Sequence, residues 1–237
     1  MNKNYTKYPM LNWAKDIFPL CRSLTGKDTL KTLMYFKKIN PEWKLIKFKS
    51  GQKVFDWSIP DEWNIKDSFI EHESGKKFAS FKKHNLHIMG YSCPVNKKIS
   101  KKELLKNIYT IKNKPNLIPY ITSYYERNWG FCMSENQKKK LPEGNYKAYI
   151  NSTLKKGIMN IGELVIKGSS KKEIFFSSYI CHPSMANNEL SGSVLLNALV
   201  KYVKQFKKTK YTYRFVLVPE TIGSIAYISK NLNKLKK

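Results

Sequence analysis

The alternation of strand-like and helix-like runs after Glu173 constrains the fold more than any other feature of this chain. Ile174-Phe175-Phe176-Ser177-Ser178-Tyr179-Ile180 is almost continuously apolar or small, which suits a central strand covered on both faces. A polar loop, Cys181 to Gly192, follows it. Ser193 to Phe206 then sets Val194, Leu195, Leu199, Val200 and Val203 at helical spacing. Tyr211 to Val218 reads as a second buried strand ending at Pro219-Glu220, and Ile222 to Leu232 as a second helix. Strand–loop–helix repeated in this way predicts an α/β sheet. In such sheets ligands gather at the carboxyl ends of the strands, where both loops fall.

Upstream, Leu11 to Cys21 and Asp28 to Lys38 carry apolar residues at helical spacing, the second through Leu30, Leu33, Met34 and Phe36. Trp43 to Phe48 alternates like a strand. From Gln52 to Cys132 short β-like runs alternate with turns, interrupted by a helix from Lys101 to Tyr109 behind a Ser100/Glu103 capping box. Tyr146 to Thr153 and Asn160 to Ile166 are further strand candidates. The division expected is an α/β core from residues 1–50 and 133–237, with 51–132 inserted as a mostly β domain.

Charge invites a nucleic-acid reading: 44 Lys+Arg against 17 Asp+Glu give a net charge of +27. Yet only Arg22, Arg127 and Arg214 are arginine, the residue that reads guanine and phosphate bidentately. Lysines spread along the whole chain predict salt-dependent, nonspecific attraction to polyanions, and no specific nucleic-acid partner. No run approaches the roughly 18 apolar residues of a membrane span. Met1 to Met10 lacks the apolar stretch of a signal peptide, so a cytoplasmic location is expected. Cys21, Cys93, Cys132 and Cys181 stand far apart with no CxxC pair, which predicts free thiols rather than a disulfide framework.

His182 in the first loop and Glu220 in the second lie at the ends of neighbouring strands. Imidazole and carboxylate are ordinary zinc ligands, and a carboxylate beside a metal can act as general base. The same residues admit plainer roles, His182 as a hydrogen-bonded loop residue and Glu220 as a cap for the following helix.

The order His182, Asn188-Glu189-Leu190-Ser191-Gly192, Glu220 and Gly223-Ser224 resembles zinc aminopeptidases of the M28 type. More closely, the chain resembles aminopeptidase-like proteins of bacterial polysaccharide-biosynthesis loci, known by the domain labels DUF4910 and DUF2172. Phe18 to Gly26, Val54 to Trp57, Glu62 to Ile65, Pro94 to Asn96, Pro119 to Tyr125 and Trp129 to Cys132 carry that likeness. It implies an aminopeptidase-like mixed sheet flanked by helices, a zinc ion, and activated water attacking a peptide or amide bond of a small substrate. His182 matches the first zinc-binding histidine. Asn188 stands where the pattern has an aspartate bridging two metals, with Glu189 beside it as a substitute ligand. Glu220 falls where the pattern has two adjacent glutamates, a general base and a ligand; the neighbour here is Thr221, so one role is missing. Ser191-Gly192 and Gly223-Ser224 match positions that shape backbone.

The pattern also has a later aspartate, a later histidine and a winged-helix-like tail. The chain therefore reads as the N-terminal part of a longer protein with an incomplete zinc site and an open sheet edge, which predicts self-association. The alternative to an impaired hydrolase is a non-catalytic binding or assembly module on the same fold.

Overall fold

The computed structural model describes residues 8–236, so the first seven residues of the polar N-terminus and Lys237 lie outside it. In chain order the elements are α1 (Met10–Ile17), α2 (Lys27–Ile39), β1 (Lys44–Lys49), β2 (Lys53–Val54), β3 (Trp57–Ser58), β4 (Glu62–His72), β5 (Lys77–Phe78), β6 (Val95–Ser100), α3 (Lys101–Leu105), β7 (Ile108–Tyr109), β8 (Phe131–Cys132), α4 (Glu135–Lys139), β9 (Asn145–Lys155), β10 (Ile158–Ile166), β11 (Glu173–Tyr179), α5 (Ser191–Val203), β12 (Thr212–Val218) and α6 (Ile222–Leu235). They divide into two compact units, residues 1–61 with 156–237, and residues 62–155.

The first unit is built on a mixed sheet in the order β1-β10-β12-β11. β1 and β12 both run antiparallel to β10, while β11 runs parallel to β12. Phe215 and Leu217 of β12 join Trp13, Ile17, Leu33, Phe36, Trp43, Val194 and Val200 in the main core, which places α1, α2 and α5 on one face. Alternation turns Arg214 and Val216 to the other face. There Arg214 pairs with Glu163 and Glu173, and Tyr227 of α6 donates to Glu163 at 2.6 Å. Two buried asparagines knit α2, β1 and α5: Trp43 Nε1 and Asn40 Nδ2 both donate to Asn197 Oδ1, at 2.8 and 3.1 Å. Gly162 lets this packing close, since a Cβ there would meet Leu33 at 2.8 Å.

One reading of this sheet is corrected. β11, expected at the centre, is an edge strand whose residues are at most half-buried, with Phe175 exposed. β12 is the strand buried along nearly its whole length, because it sits between β10 and β11. A run of apolar and small residues carries no record of which neighbours a strand pairs with. The first helix ends at Ile17, earlier than the periodicity suggested.

The second unit holds an antiparallel sheet in the order β5-β4-β9-β6 and the small parallel pair β7–β8. Its limits differ from those expected. The β2–β3 hairpin belongs to the first unit, and β9, read as a core strand, pairs with β4 and β6. β9 buries Tyr146, Ala148, Ile150 and Ser152 in strict alternation, the mark of a strand covered on one face. β4 is one strand of 11 residues, seen in the sequence only in part because a register shift between Ile65 and Asp67 breaks its alternation. The helix expected to reach Tyr109 stops at Leu105; its N-cap holds, with Ser100 accepting from the Glu103 amide at 3.2 Å. No helix among the described residues is long and apolar enough to cross a membrane.

Candidate metal centre

Parallel pairing puts two loops at one end of the first unit's sheet. β11 and β12 run in register from Glu173↔Thr212 to Tyr179↔Val218, and the Ile180 amide continues the ladder by donating to the Val218 carbonyl at 3.0 Å. The chain leaves β11 as Cys181-His182 and β12 as Pro219-Glu220, so these four residues are neighbours.

The His182 ring lies between two carboxylates. Its Nε2 is 3.0 Å from Glu220 Oε2, and its Nδ1 is 3.0 Å from Glu189 Oε2. The edge of the ring meets Tyr179, with centroids 5.5 Å apart and planes at 82°. His182 is buried, whereas the Glu220 side chain is 45% exposed. The centre thus has a closed side and an open one.

Glu189 builds the closed side. It sits in a π-helical turn, Ala186–Leu190, that leads directly into α5; single π turns of this kind recur at functional sites. Its Oε2 accepts from the amides of Cys181 and His182 at 2.6 and 2.5 Å, and its Oε1 accepts from Arg22 Nε at 3.0 Å. Arg22 is itself buried, with Nη1 donating to the Ile17 carbonyl at 2.6 Å. A carboxylate held behind an imidazole fixes the orientation of the ring and presents the opposite nitrogen outward.

Cys181 Sγ accepts from the Glu220 amide at 3.1 Å. Burial first, and then the Glu189 carboxylate, push this thiol well above its ordinary pKa. One donor atom each from Cys181, His182 and Glu220 lie within 4.8 Å of one another. Tetrahedral zinc with bonds of about 2.0–2.3 Å sets its donors roughly 3.3–3.7 Å apart. Sulfur, imidazole nitrogen and carboxylate oxygen are all zinc donors, so this set fits the ion the sequence implied.

Of the residues singled out from the sequence, His182, Glu189 and Glu220 come together. Asn188 does not join them: it is exposed on the π turn, and among the described residues its side chain makes no hydrogen bond to the centre. Glu189 stands behind the ring rather than beside Nε2, in the place of an orienting group. The plainer role for Glu220 is not what the geometry shows, since Thr221 starts α6 without any side-chain cap. Thr221 has φ 55° and ψ −80°, a sparsely populated backbone state for a β-branched residue, immediately after Glu220. Gly223 lets the turn close, because a Cβ there would lie 2.6 Å from Pro219. His72, His84 and His87 are engaged inside the second unit, with Glu143, Leu86 and Cys132 respectively.

Sequence reasoning passed over Arg22 and Cys181. Arg22 left a signal: in a chain that otherwise uses lysine, an arginine marks a position that needs a planar, multi-donor fork. Arg214 obeys the same rule, held between Glu163 and Glu173.

The family model described as "Domain of unknown function (DUF4910)" matches residues 11–237. The chain belongs to that family. It is 43% identical, over 235 residues, to a Clostridium acetobutylicum protein named as a polysaccharide biosynthesis protein with aminopeptidase-like domain, covering 99% of this chain and 54% of the relative. A crystal structure of a C. acetobutylicum protein described as a peptidase superposes with a TM-score of 0.93 at 43% identity, over 96% of this chain and 54% of that one. The chain therefore spans about half the length of the relatives it matches. The zinc aminopeptidase BSAP of Bacillus subtilis shares the fold at 11% identity, with a TM-score of 0.57 over 95% of this chain and 67% of that chain. The architecture of this family member is aminopeptidase-like.

Proposed function

We propose that the chain carries the metal centre of a zinc-dependent, aminopeptidase-like hydrolase acting on a peptide or amide bond of a small substrate, in the service of surface-polysaccharide biosynthesis. The observation that carries this reading is the 3.0 Å approach of His182 Nε2 and Glu220 Oε2 at the paired ends of β11 and β12, with Glu220 open to solvent. The name of the C. acetobutylicum relative and the fold shared with a zinc aminopeptidase support it.

Zinc bound there would supply Lewis acidity, making water a nucleophile near neutral pH and polarising the scissile carbonyl. His182 would hold the ion through Nε2. Glu189, fixed by Arg22 and two backbone amides, sets its Oε2 3.0 Å from Nδ1, where it would orient the ring. Glu220 accepts the proton of the attacking water at its carboxylate and returns it to the leaving amine. The half-exposed Glu220 side chain gives the substrate its side of approach.

Metal content after exhaustive dialysis against metal-free buffer tests the reading. About one zinc per chain is expected, lost in His182→Ala together with zinc-dependent hydrolysis of aminoacyl amides. Unchanged zinc and activity in that variant would sink it. A non-catalytic binding or assembly role is favoured by one observation, the exposure of Asn188 away from the centre. It predicts no hydrolysis under any metal loading.

A further inference from the structure

We infer that Cys181 is a metal ligand of this centre, so that the site takes a thiophilic divalent cation through sulfur, nitrogen and oxygen rather than through nitrogen and oxygen alone. The inference rests on the proposed metal centre and adds to it a donor that the sequence pattern lacks.

Two observations carry it. The first is place. Cys181 precedes His182 at the end of β11, and its sulfur lies within 4.8 Å of donor atoms from both His182 and Glu220. The second is the environment of the sulfur. Cys181 is fully buried, and Sγ already accepts the Glu220 amide at 3.1 Å. An amide donated to sulfur is the kind of outer contact that steadies a metal-bound thiolate.

Cys21, Cys93 and Cys132 have no comparable setting; Cys21 is in the same unit but outside this donor cluster, and the other two belong to the second unit. Binding is a simple exchange in which the metal–sulfur bond forms as the thiol proton leaves to solvent. Cys181 Sγ, His182 Nε2 and one Glu220 carboxylate oxygen then hold the ion, and the second Glu220 oxygen is left to handle the proton.

Cobalt(II) added to the purified, metal-free chain tests this directly, because sulfur–cobalt bonds give an intense near-ultraviolet charge-transfer band that nitrogen and oxygen donors do not. The band is expected in the unmodified chain and in Cys21→Ser, Cys93→Ser and Cys132→Ser, and is expected to vanish in Cys181→Ser. X-ray absorption on the zinc-loaded, unmodified chain needs no variant and should show a sulfur shell at about 2.3 Å. That measurement decides the matter if Cys181→Ser does not fold. Cobalt bound in a His182-dependent manner with no charge-transfer band and no sulfur shell would overturn the role of Cys181 while leaving the proposed metal centre intact. No cobalt or zinc bound at all would overturn both.

Discussion

Arg22 Nε donates to Glu189 Oε1 across 3.0 Å although the two residues are 167 positions apart, and both side chains are shut off from solvent. The pair ties the segment after α1 to the π turn before α5, and so to the candidate site around His182. Removing one partner of a buried pair leaves a charge with no compensation, a loss of about 3–5 kcal/mol. Set against a typical total of roughly 5–15 kcal/mol, that is severe. Arg22→Met should lower the urea midpoint accordingly, with Arg22→Lys in between because it keeps the charge and loses the fork. A fall of less than about 1 kcal/mol in Arg22→Met would show the pair to be idle.

Glu189→Gln probes the same contact from the other side. The amide is nearly isosteric but cannot accept from Arg22 and two backbone amides as a carboxylate does. Loss of an orienting partner behind a metal-bound histidine typically costs 10–100-fold in affinity. Zinc competition against a chromophoric chelator should therefore show a drop of about that size in Glu189→Gln, with the far-ultraviolet circular dichroism unchanged. Equal affinities would mean that Glu189 has no part in holding His182.

The sequence made the site legible where its signals were local. A strand, a polar loop and a helix announce themselves within some twenty residues, and two such units in a row located His182 and Glu220. What needed partners far along the chain was not legible. Periodicity could not tell that β11 lies at the edge and β12 within, because both are apolar and only pairing separates them. β9 alternates as any half-covered strand would, and nothing local assigns it to the sheet with β4 and β6. Glu189 was identified as a ligand beside Asn188, yet the π turn buries Glu189 and exposes Asn188. A one-residue change in helical phase decides which neighbour faces in, and residue type does not encode it.

Gly223 governs the turn that presents Glu220. An added Cβ would meet Pro219 Cδ at 2.6 Å and Pro219 Cβ at 3.1 Å, so either α6 shifts or the Pro219–Thr221 turn opens. Overpacking of this kind costs about 1–3 kcal/mol. Gly223→Ala should show that loss in chemical denaturation and should also weaken zinc binding, since Glu220 moves with the turn. Normal stability with normal zinc affinity would show that the turn absorbs the methyl group.

β11 offers a route to self-association. It ends the sheet, no strand pairs with its outer side among the described residues, and Phe175 is 43% exposed. Unpaired edges of this kind template pairing with a second chain. Light scattering should report a mass that rises with concentration in the unmodified chain. Phe175→Lys should suppress the rise, because a charge on an edge strand opposes pairing. A constant monomer mass across the range would remove β11 as an interface.

The second unit should lose stability on mild acidification, and His87 is the reason. Its ring is buried, with Nδ1 2.8 Å from the Cys132 carbonyl. Burial holds its pKa below the ordinary 6.5, against a smaller upward pull from that carbonyl, and nearby His84 and Lys83 push the same way as burial. His84 is lowered too, by burial alone. A histidine whose folded pKa is depressed binds fewer protons folded than unfolded in the window below 6.5. The unfolded state is then favoured progressively as pH falls through that window, and the loss levels off below the folded pKa. Thermal midpoints followed from about pH 8 to about pH 5 should hold steady and then decline once pH drops under the free-histidine value. His87→Gln keeps a donor for the Cys132 carbonyl and removes the titration, so its profile should be flatter. A decline of equal steepness in that variant would place the acid sensitivity elsewhere.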